Sequence, residues 1–282
     1  MHIIDYKYIH GTEPRDGYIA IPELDRYKSS VNQFIKLAEL SIILDKPTAF
    51  IYVDGFSISQ AESGINLTCP GKYLPAIKTG SSHIMHEWIH TFKNKGYLRH
   101  VNIVSSTCAS SLQAMYEAER LLRTTLIEEV IIIGGERTTE DTIRLFKELR
   151  IPVQCGDGFF YMKLSNDIDH WDKPEVGPVD WRFTYQRNPF YFPRDIIDKL
   201  IPAKPVDYVK LHGTGTPSNT AAEAGLAAIA TPIIYKPLIG HCQGISCLLE
   251  TCLVLDDENI SGKVLVTANG LGGFYGAFTL TK

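Results

Sequence analysis

The chain has 282 residues, 44% of them hydrophobic and 21% charged, so it can bury a large core as one domain or as two halves. Its net charge is −4 and no run of five or more Lys or Arg residues occurs, which excludes the basic footprint of a nucleic-acid-binding protein. No apolar stretch is as long as a membrane span and the first residues lack the apolar segment of a signal peptide, so we expect a cytoplasmic protein without a membrane segment. Six cysteines in a chain of this length do not indicate a disulfide framework, and no Cys-x-x-Cys pair indicates a zinc site.

Helices alternate with strands in the first part of the chain. Helical periodicity covers residues 34–44, and a serine and a glycine bound a second helix over 81–96. Apolar runs predict strands over 48–56, 101–106, 128–136 and 157–165, with a further helix after Cys108. This alternation predicts an α/β fold with a mainly parallel sheet.

The alternation returns in the second part. Residues 167–181 are rich in Pro, Asp and Trp, and we interpret them as a connection on the surface. After them, helices are predicted over 193–201, 220–230 and 244–255, strands over 206–213 and 232–235, and a hairpin over 263–282. The chain is therefore predicted to contain two similar halves, residues 1–165 and 166–282.

Cys108 lies where an apolar run ends and an amphipathic helix begins. A thiol at the first turn of a helix is close to backbone N–H groups and to the positive end of the helix dipole, which favour the thiolate. The sequence therefore predicts a lowered pKa and a nucleophile at this position. The alternative is a buried cysteine with a structural role.

Two histidines stand in comparable positions. His212 ends a hydrophobic strand in VKLHGTGTP, and His241 follows Gly240 before a helix that is rich in small residues. Either one alone is compatible with a histidine that only stabilises a turn. Together with Cys108 they make three reactive side chains at strand ends, which is where open α/β sheets form their sites.

Six segments carry a resemblance to a known family. They are TCASSLQAMYEAERLL, EEVIIIGGE, CGDGFFYMKL, VDYVKLHGTGTPSNTAAEAG, KPLIGHCQG and NGLGG. In this order they resemble the motifs of the β-ketoacyl synthases, the condensing enzymes of thiolase fold in fatty acid and polyketide biosynthesis. The resemblance implies an α/β, thiolase-like fold of two pseudo-equivalent halves in five αβαβα layers, usually as a dimer.

The resemblance also implies roles for individual residues. Cys108 would be the nucleophile that accepts an acyl group from a carrier thioester. His212 and His241 would hydrogen-bond the extender thioester and stabilise the enolate that forms when the malonyl group loses CO₂. The backbone N–H groups of Cys108 and Leu271 would form the oxyanion hole. A cysteine with two histidines is the pattern of the elongating branch of the family.

Supporting residues follow from the same resemblance. Lys236 and Glu223 would form an ion pair that holds His241, and Thr214 and Thr216 would contact the phosphopantetheine arm of an acyl carrier protein. No bound cofactor is implied, because the substrates are carried on that arm. The expected partners are the acyl carrier protein and either a second copy of this chain or a second ketosynthase-like subunit.

The chain also departs from the family pattern. It is shorter than usual members, and Thr220 stands where an acidic residue is common. Leu271 occupies the position of the usual aromatic gate, which we interpret as a change in acyl preference or gating. Phe274 replaces a threonine, and both Leu271 and Phe274 are predicted to bind substrate.

Two alternative functions remain open. The short chain is compatible with a ketosynthase-like subunit that does not catalyse the condensation itself. Such a subunit would shape the pocket of a partner, as a chain-length factor does. The second alternative is a zinc hydrolase, because His86, Glu87 and His90 form an H-E-x-x-H pattern on a predicted helix. Lys93 and the lack of a suitably spaced third ligand do not fit the longer metalloprotease patterns, so we predict no metal site.

Overall fold

The computed structural model of the chain describes residues 1–24, 30–54, 81–124, 126–188 and 193–282. Its strands are β1 (His2–His10), β2 (Glu13–Arg15), β3 (Tyr18–Ala20), β4 (Thr48–Asp54), β5 (Leu98–Val104), β6 (Glu129–Glu136), β7 (Cys155–Gly156), β8 (Gly158–Ser165), β9 (Glu175–Val176), β10 (Asp180–Phe183), β11 (Tyr208–Lys210), β12 (Thr231–Ile233), β13 (Lys263–Gly270) and β14 (Phe274–Thr281). Its α-helices are α1 (Ser30–Leu37), α2 (Ser81–Thr91), α3 (Ser110–Leu122), α4 (Glu140–Glu148), α5 (Arg194–Ile197), α6 (Pro217–Ala227), α7 (Lys236–Ile239) and α8 (Ser246–Asp256).

The main sheet repeats one strand pattern in the two parts of the chain. In the first part, β4 is parallel to β5 and β6, and β6 is antiparallel to β8. In the second part, β11 is parallel to β12 and β13, and β13 is antiparallel to β14. The α/β class is confirmed, but the expectation of a mainly parallel sheet is wrong, because each half ends in an antiparallel strand. The boundary between residues 165 and 166 stays a prediction.

The segment interpreted as a surface connection belongs to this sheet. Strand β9 pairs with β1 on one side and with β14 on the other, so it joins the two parts into one sheet of 11 strands. Strand β10 pairs with β14. The buried side chains of Val176 and Val179 anchor the segment, although the surrounding prolines and charges hide this pattern in the sequence.

Helices α3 and α8 lie between the two parts. They pack against each other, α3 against β4, β5 and β6, and α8 against β1, β8 and β13. Nine of the eleven residues of α8 are buried, including Cys247 and Cys252. Cys155 and Cys242 are also buried, in agreement with a core role for these four cysteines, whereas Cys69 lies outside the described residues.

Several predicted boundaries differ from the structure. The helix predicted over 34–44 is α1, which ends at Leu37 shortly before Glu39 adopts a left-handed backbone conformation. Helix α2 stops at Thr91, well before the predicted end at Gly96. The strand predicted over 48–56 is described up to Asp54, and its last two residues lie outside the described ranges. Strand β1 and helix α4 were absent from the sequence prediction.

Candidate active site

A tight turn between β5 and α3 presents Cys108. Thr107 has a φ of 51°, a left-handed conformation that is uncommon and strained for a residue with a side chain. The Ser110 hydroxyl accepts a hydrogen bond from the Ser106 N–H (2.7 Å) and donates one to the Thr107 carbonyl (2.6 Å). The N–H of Ala109 donates to the Ser106 carbonyl at 3.1 Å. These bonds hold the half-buried cysteine in a fixed position at the start of the helix.

The hairpin between β13 and β14 packs directly against this turn. The Thr107 hydroxyl donates to the Leu271 carbonyl at 3.1 Å. A β-carbon added at Gly270 would lie 2.6 Å from the Thr107 hydroxyl and 2.7 Å from the Ser106 carbonyl, so only glycine allows this approach. The backbone N–H groups of Leu271 and of Cys108 itself are close enough to the sulfur to lower the pKa of the thiol. Cys108 and Leu271 thus line the same cavity, and the oxyanion hole that they would form stays a prediction.

The pKa of Cys108 differs from the prediction. Burial raises the pKa of the thiol, and Glu136 adds to this effect, whereas Lys236 and the N–H groups of Leu271 and Cys108 lower it. The net result is a pKa raised to about 11, so the expected lowering is wrong. Cys108 precedes the N-cap residue Ala109, and the favourable N–H groups do not outweigh the loss of hydration.

Two buried histidines line the same cavity as the cysteine. The ring centroids of His212 and His241 are 5.3 Å apart in an edge-to-face arrangement, and both residues are buried. Burial, followed by the nearby charge of Lys236, lowers the pKa of both imidazoles well below 6.5. At neutral pH each ring therefore carries one N–H donor. Nδ1 of His241 lies 3.0 Å from the Ser246 hydroxyl, which fixes the orientation of that ring.

A buried charge network lies next to the histidines, and it corrects the predicted ion pair. Nζ of Lys236 is 2.8 Å from Oε1 of Glu250, and Nζ of Lys210 is 2.9 Å from Oε2 of the same carboxylate. Glu223 instead accepts hydrogen bonds from the backbone N–H groups of His212 (2.7 Å) and Gly213 (3.0 Å). Glu223 thus holds the backbone of the loop that contains His212. Glu250, and not the predicted Glu223, supplies the counter-charge of Lys236.

One cavity of about 420 Å³ brings most of the predicted site residues together. Six of them line it: Cys108, His212, Thr214, Thr216, His241 and Leu271. Lys236 and Glu223 are not part of the lining, but Lys236 lowers the pKa of Cys108 and of both histidines, and Glu223 accepts hydrogen bonds from the backbone of His212 and Gly213. Phe274 is not part of the lining; its ring instead stacks on Trp181 (5.9 Å between centroids) and contacts Phe183 (5.2 Å).

Comparison with solved structures identifies this arrangement as a known fold. A β-ketoacyl synthase from Burkholderia phymatum aligns with a TM-score of 0.74 at 12% identity, over 100% of this chain and 98% of that one. The ishigamide ketosynthase/chain length factor aligns with a TM-score of 0.72 at 13% identity, over 99% and 98% of the two chains. A type II polyketide ketosynthase in complex with its acyl carrier protein aligns with a TM-score of 0.69 at 10% identity, over 99% and 98%. The chain has the ketosynthase fold.

Comparison of the sequence itself finds much less similarity than comparison of the structure. No protein-family profile matches the chain. A probable polyketide synthase of Dictyostelium discoideum is 38% identical in an alignment of 72 residues, and the match covers 21% of this chain and only 2% of that protein. The predicted thiolase-like α/β architecture is confirmed by the solved structures alone, and not by these sequence matches.

Nine further residues line the cavity, and the sequence patterns did not predict them as site residues. They are Leu145, Phe146, Leu149, Ile151, Pro217, Ser218, Asn219, Gln243 and Asn269. The first three belong to α4 or follow it directly. The Thr139 hydroxyl caps α4 and two acidic residues stand in its first turn, a helix start signal that the sequence contains. The amide side chains carry no pattern that distinguishes them from surface residues.

The H-E-x-x-H segment lies on α2 as predicted, but it does not form a metal centre with other described residues. Nε2 of His83 is 3.5 Å from Glu87, and the rings of His86 and His90 meet edge to face at 4.8 Å. Within the described ranges, no group of three or more His, Cys, Asp or Glu side chains is arranged to hold a metal ion.

The described helices were also compared with the length and hydrophobicity that a membrane span requires, and none of them meets both requirements.

Proposed function

We propose that the chain is a condensing enzyme of the β-ketoacyl synthase type, an acyltransferase that joins a carrier-bound acyl group to a carrier-bound malonyl unit. The observation that carries the proposal is that Cys108, Leu271 and two buried histidines with lowered pKa values line one cavity. A nucleophile, an anion-stabilising pair and an oxyanion hole are the three elements that such a reaction needs.

Acylation of Cys108 is the first step of this proposal. The sulfur attacks the carbonyl carbon of an acyl thioester, and the oxygen of the tetrahedral intermediate accepts hydrogen bonds from the N–H groups of Cys108 and Leu271. The carbon–sulfur bond to the carrier then breaks, and the departing carrier thiolate takes up the proton that the cysteine has lost. Burial leaves the pKa of Cys108 raised to about 11 even with Lys236 and the two N–H groups lowering it, so only a small fraction of the protein carries the reactive thiolate at neutral pH.

Condensation is the second step. His212 and His241 donate their N–H groups to the carbonyl oxygen of the malonyl thioester, so the bond to the carboxylate breaks, CO₂ leaves and its electron pair forms an enolate. The enolate carbon attacks the acyl carbon on Cys108, and the cysteine leaves as a thiolate. Neutral imidazoles suit this role because they donate a hydrogen bond without a proton being transferred to the enolate.

Carrier recognition belongs to the loop that follows His212. Thr214 and Thr216 line the cavity, and their hydroxyl oxygens are 3.4 Å apart. We assign to them the contact with the phosphopantetheine arm of an acyl carrier protein. One ketosynthase neighbour is named as a complex with its acyl carrier protein, which supports this class of partner and a ketosynthase-like dimer.

A subunit without turnover is the second candidate. It is compatible with the burial of Cys108, which raises the pKa of the thiol to about 11 and disfavours the reactive thiolate. One neighbour is named as a ketosynthase/chain length factor. In this case the chain would bind carrier-linked chains in the cavity while a partner carries out the condensation.

Intact-mass analysis separates the two candidates. The protein is incubated with an acylated carrier protein, and the expected result is an added mass of one acyl group that is lost in Cys108→Ala and kept in the control Cys252→Ala, a buried cysteine of α8 outside the cavity lining. Addition of malonyl carrier should then release CO₂. A protein that binds carrier but never gains the acyl mass would contradict the enzymatic proposal and support the second candidate.

A further inference from the structure

Asn269 is a buried carboxamide that faces the cavity without a partner. It is the penultimate residue of β13, it is 2% exposed, and it lines the same cavity as Cys108. In the described part of the chain, neither its Oδ1 nor its Nδ2 has a hydrogen-bond partner. A buried polar group in this state destabilises the folded protein, so an occupant of the cavity that satisfies it gains affinity.

The position of Asn269 places it near the acyl end of a bound substrate. Asn269 precedes Leu271 by two residues, the backbone of Leu271 lowers the pKa of the Cys108 thiol, and all three residues line the same cavity. Helix α4 supplies a different surface to the cavity, because Leu145, Phe146 and Leu149 are apolar. The occupant therefore meets an apolar wall and, close to the sulfur, one acceptor and one donor.

We propose that Asn269 makes the cavity selective for acyl groups that carry a hydroxyl close to the thioester. The inference rests on the proposed function in that an acyl group must enter this cavity. A hydroxyl donates to Oδ1, and its oxygen accepts from Nδ2. A keto oxygen satisfies only Nδ2, and a saturated chain satisfies neither atom, so the expected order of affinity is hydroxyacyl, then oxoacyl, then saturated acyl.

The test uses pantetheine ligands in which an amide replaces the thioester, so that no acyl transfer takes place. Three ligands, 3-hydroxybutanoyl, 3-oxobutanoyl and butanoyl, are titrated calorimetrically into the full chain. We expect the hydroxy ligand to bind about tenfold more tightly than the saturated ligand, because the site would otherwise keep unpaired polar groups. In Asn269→Leu this ratio should fall below about twofold.

Ser218→Ala is the matched control. The Ser218 hydroxyl lines the same cavity and also has no partner among the described residues, but it stands beside the loop assigned to the carrier arm. Its loss should change the affinity of the three ligands by the same factor and keep their ratio. Because Asn269→Leu breaks no hydrogen bond in the described structure, its melting temperature should equal or exceed that of the parent protein.

Equal affinities in the parent protein, a preference that survives in Asn269→Leu, or no binding of any ligand would overturn the inference. A lower melting temperature of Asn269→Leu with unchanged selectivity would also overturn it, since the side chain would then be structural. Selective binding without acylation of Cys108 would refute the enzymatic proposal alone. Acylation of Cys108 without selective binding would refute this inference alone.

Discussion

Lys210 lies 2.9 Å from Oε2 of Glu250, the carboxylate whose other oxygen is bound by Lys236. Two buried lysines therefore share one buried carboxylate beneath the histidine pair. Burial has the largest single effect on the pKa of Lys210 and lowers it, but Glu250, Cys247 and Glu223 together raise the pKa above its usual value. The network carries an excess of positive charge, which lowers the pKa of both histidines and stabilises an anion in the cavity.

The two lysines should differ in their effect on the thiol. Lys236 lowers the pKa of Cys108, whereas Lys210 acts on the histidines and is not among the charges that shift the thiol. We expect Lys236→Met to slow alkylation of Cys108 by iodoacetamide at pH 9 by about tenfold, which corresponds to one pKa unit. Lys210→Met should stay within about twofold of the parent rate. The rates are measured on the peptide that contains Cys108, and equal slowing in both variants would contradict the assignment.

Removal of the shared carboxylate should destabilise the fold more than removal of either lysine. Glu250→Gln leaves two buried lysines without their counter-charge, and we expect the free energy of unfolding in urea to fall by about 3–5 kcal/mol. In Lys210→Met the carboxylate keeps Lys236, so the loss should be about 1–3 kcal/mol. Glu148→Gln, at an exposed pair with Arg144, is the control and should change stability by less than about 0.5 kcal/mol. A smaller loss in Glu250→Gln than in Lys210→Met would refute the shared role.

The buried histidines should make stability depend on pH below neutrality. Their pKa values are lowered well below 6.5 in the folded chain, so as the pH falls below about 6.5 the unfolded state binds protons that the folded state does not. Stability is complete above that pH and is lost as the pH falls toward the folded pKa, by up to about 1.4 kcal/mol per pH unit for each ring. Urea unfolding at pH 7, 6 and 5 measures this slope.

Single and double substitutions assign the pH dependence to the two rings. His212→Gln and His241→Gln should each remove one share of the slope, because glutamine does not titrate. The stability difference between each variant and the parent should therefore shift in favour of the variant as the pH falls. An unchanged slope in the double variant would show that other groups cause the acid sensitivity.

Local patterns were sufficient to predict where the reactive side chains lie. Strand β6 is buried along its whole length, as its apolar run indicates. Cys108 and His212 each follow a strand of the same sheet, and both line the cavity as the motifs predict. His241 also lines the cavity but follows helix α7, so its predicted position at a strand end is wrong. These features depend on apolar runs and short motifs, which can be recognised without knowing which distant segments pack together.

Properties that depend on packing were not predictable in the same way. The partner of Lys236 is Glu250, which lies on helix α8, 14 residues further along the chain, and no local signal in the sequence pairs the two residues. The pKa of Cys108 was predicted from its helix, whereas burial among distant segments determines its direction. The burial of Asn269 at the cavity is likewise not predictable, because an asparagine next to a glycine is typical of an exposed turn.

The close packing of Gly270 against the cysteine turn leads to the last prediction. In Gly270→Ala the new methyl group would meet the Ser106 carbonyl at 2.7 Å and the Ala109 nitrogen at 2.9 Å, so the backbone on one side must move. This movement separates the Leu271 N–H from the sulfur. We expect the single-turnover rate of Cys108 acylation to fall by about 10²-fold, since misplacement by roughly 1 Å has an effect of this size. Gly96→Ala is the control, because a β-carbon there has no atom within 4 Å, and its acylation rate should equal that of the parent. A Gly270→Ala protein that is acylated at the parent rate would show that the reaction does not depend on the fixed position of these two loops.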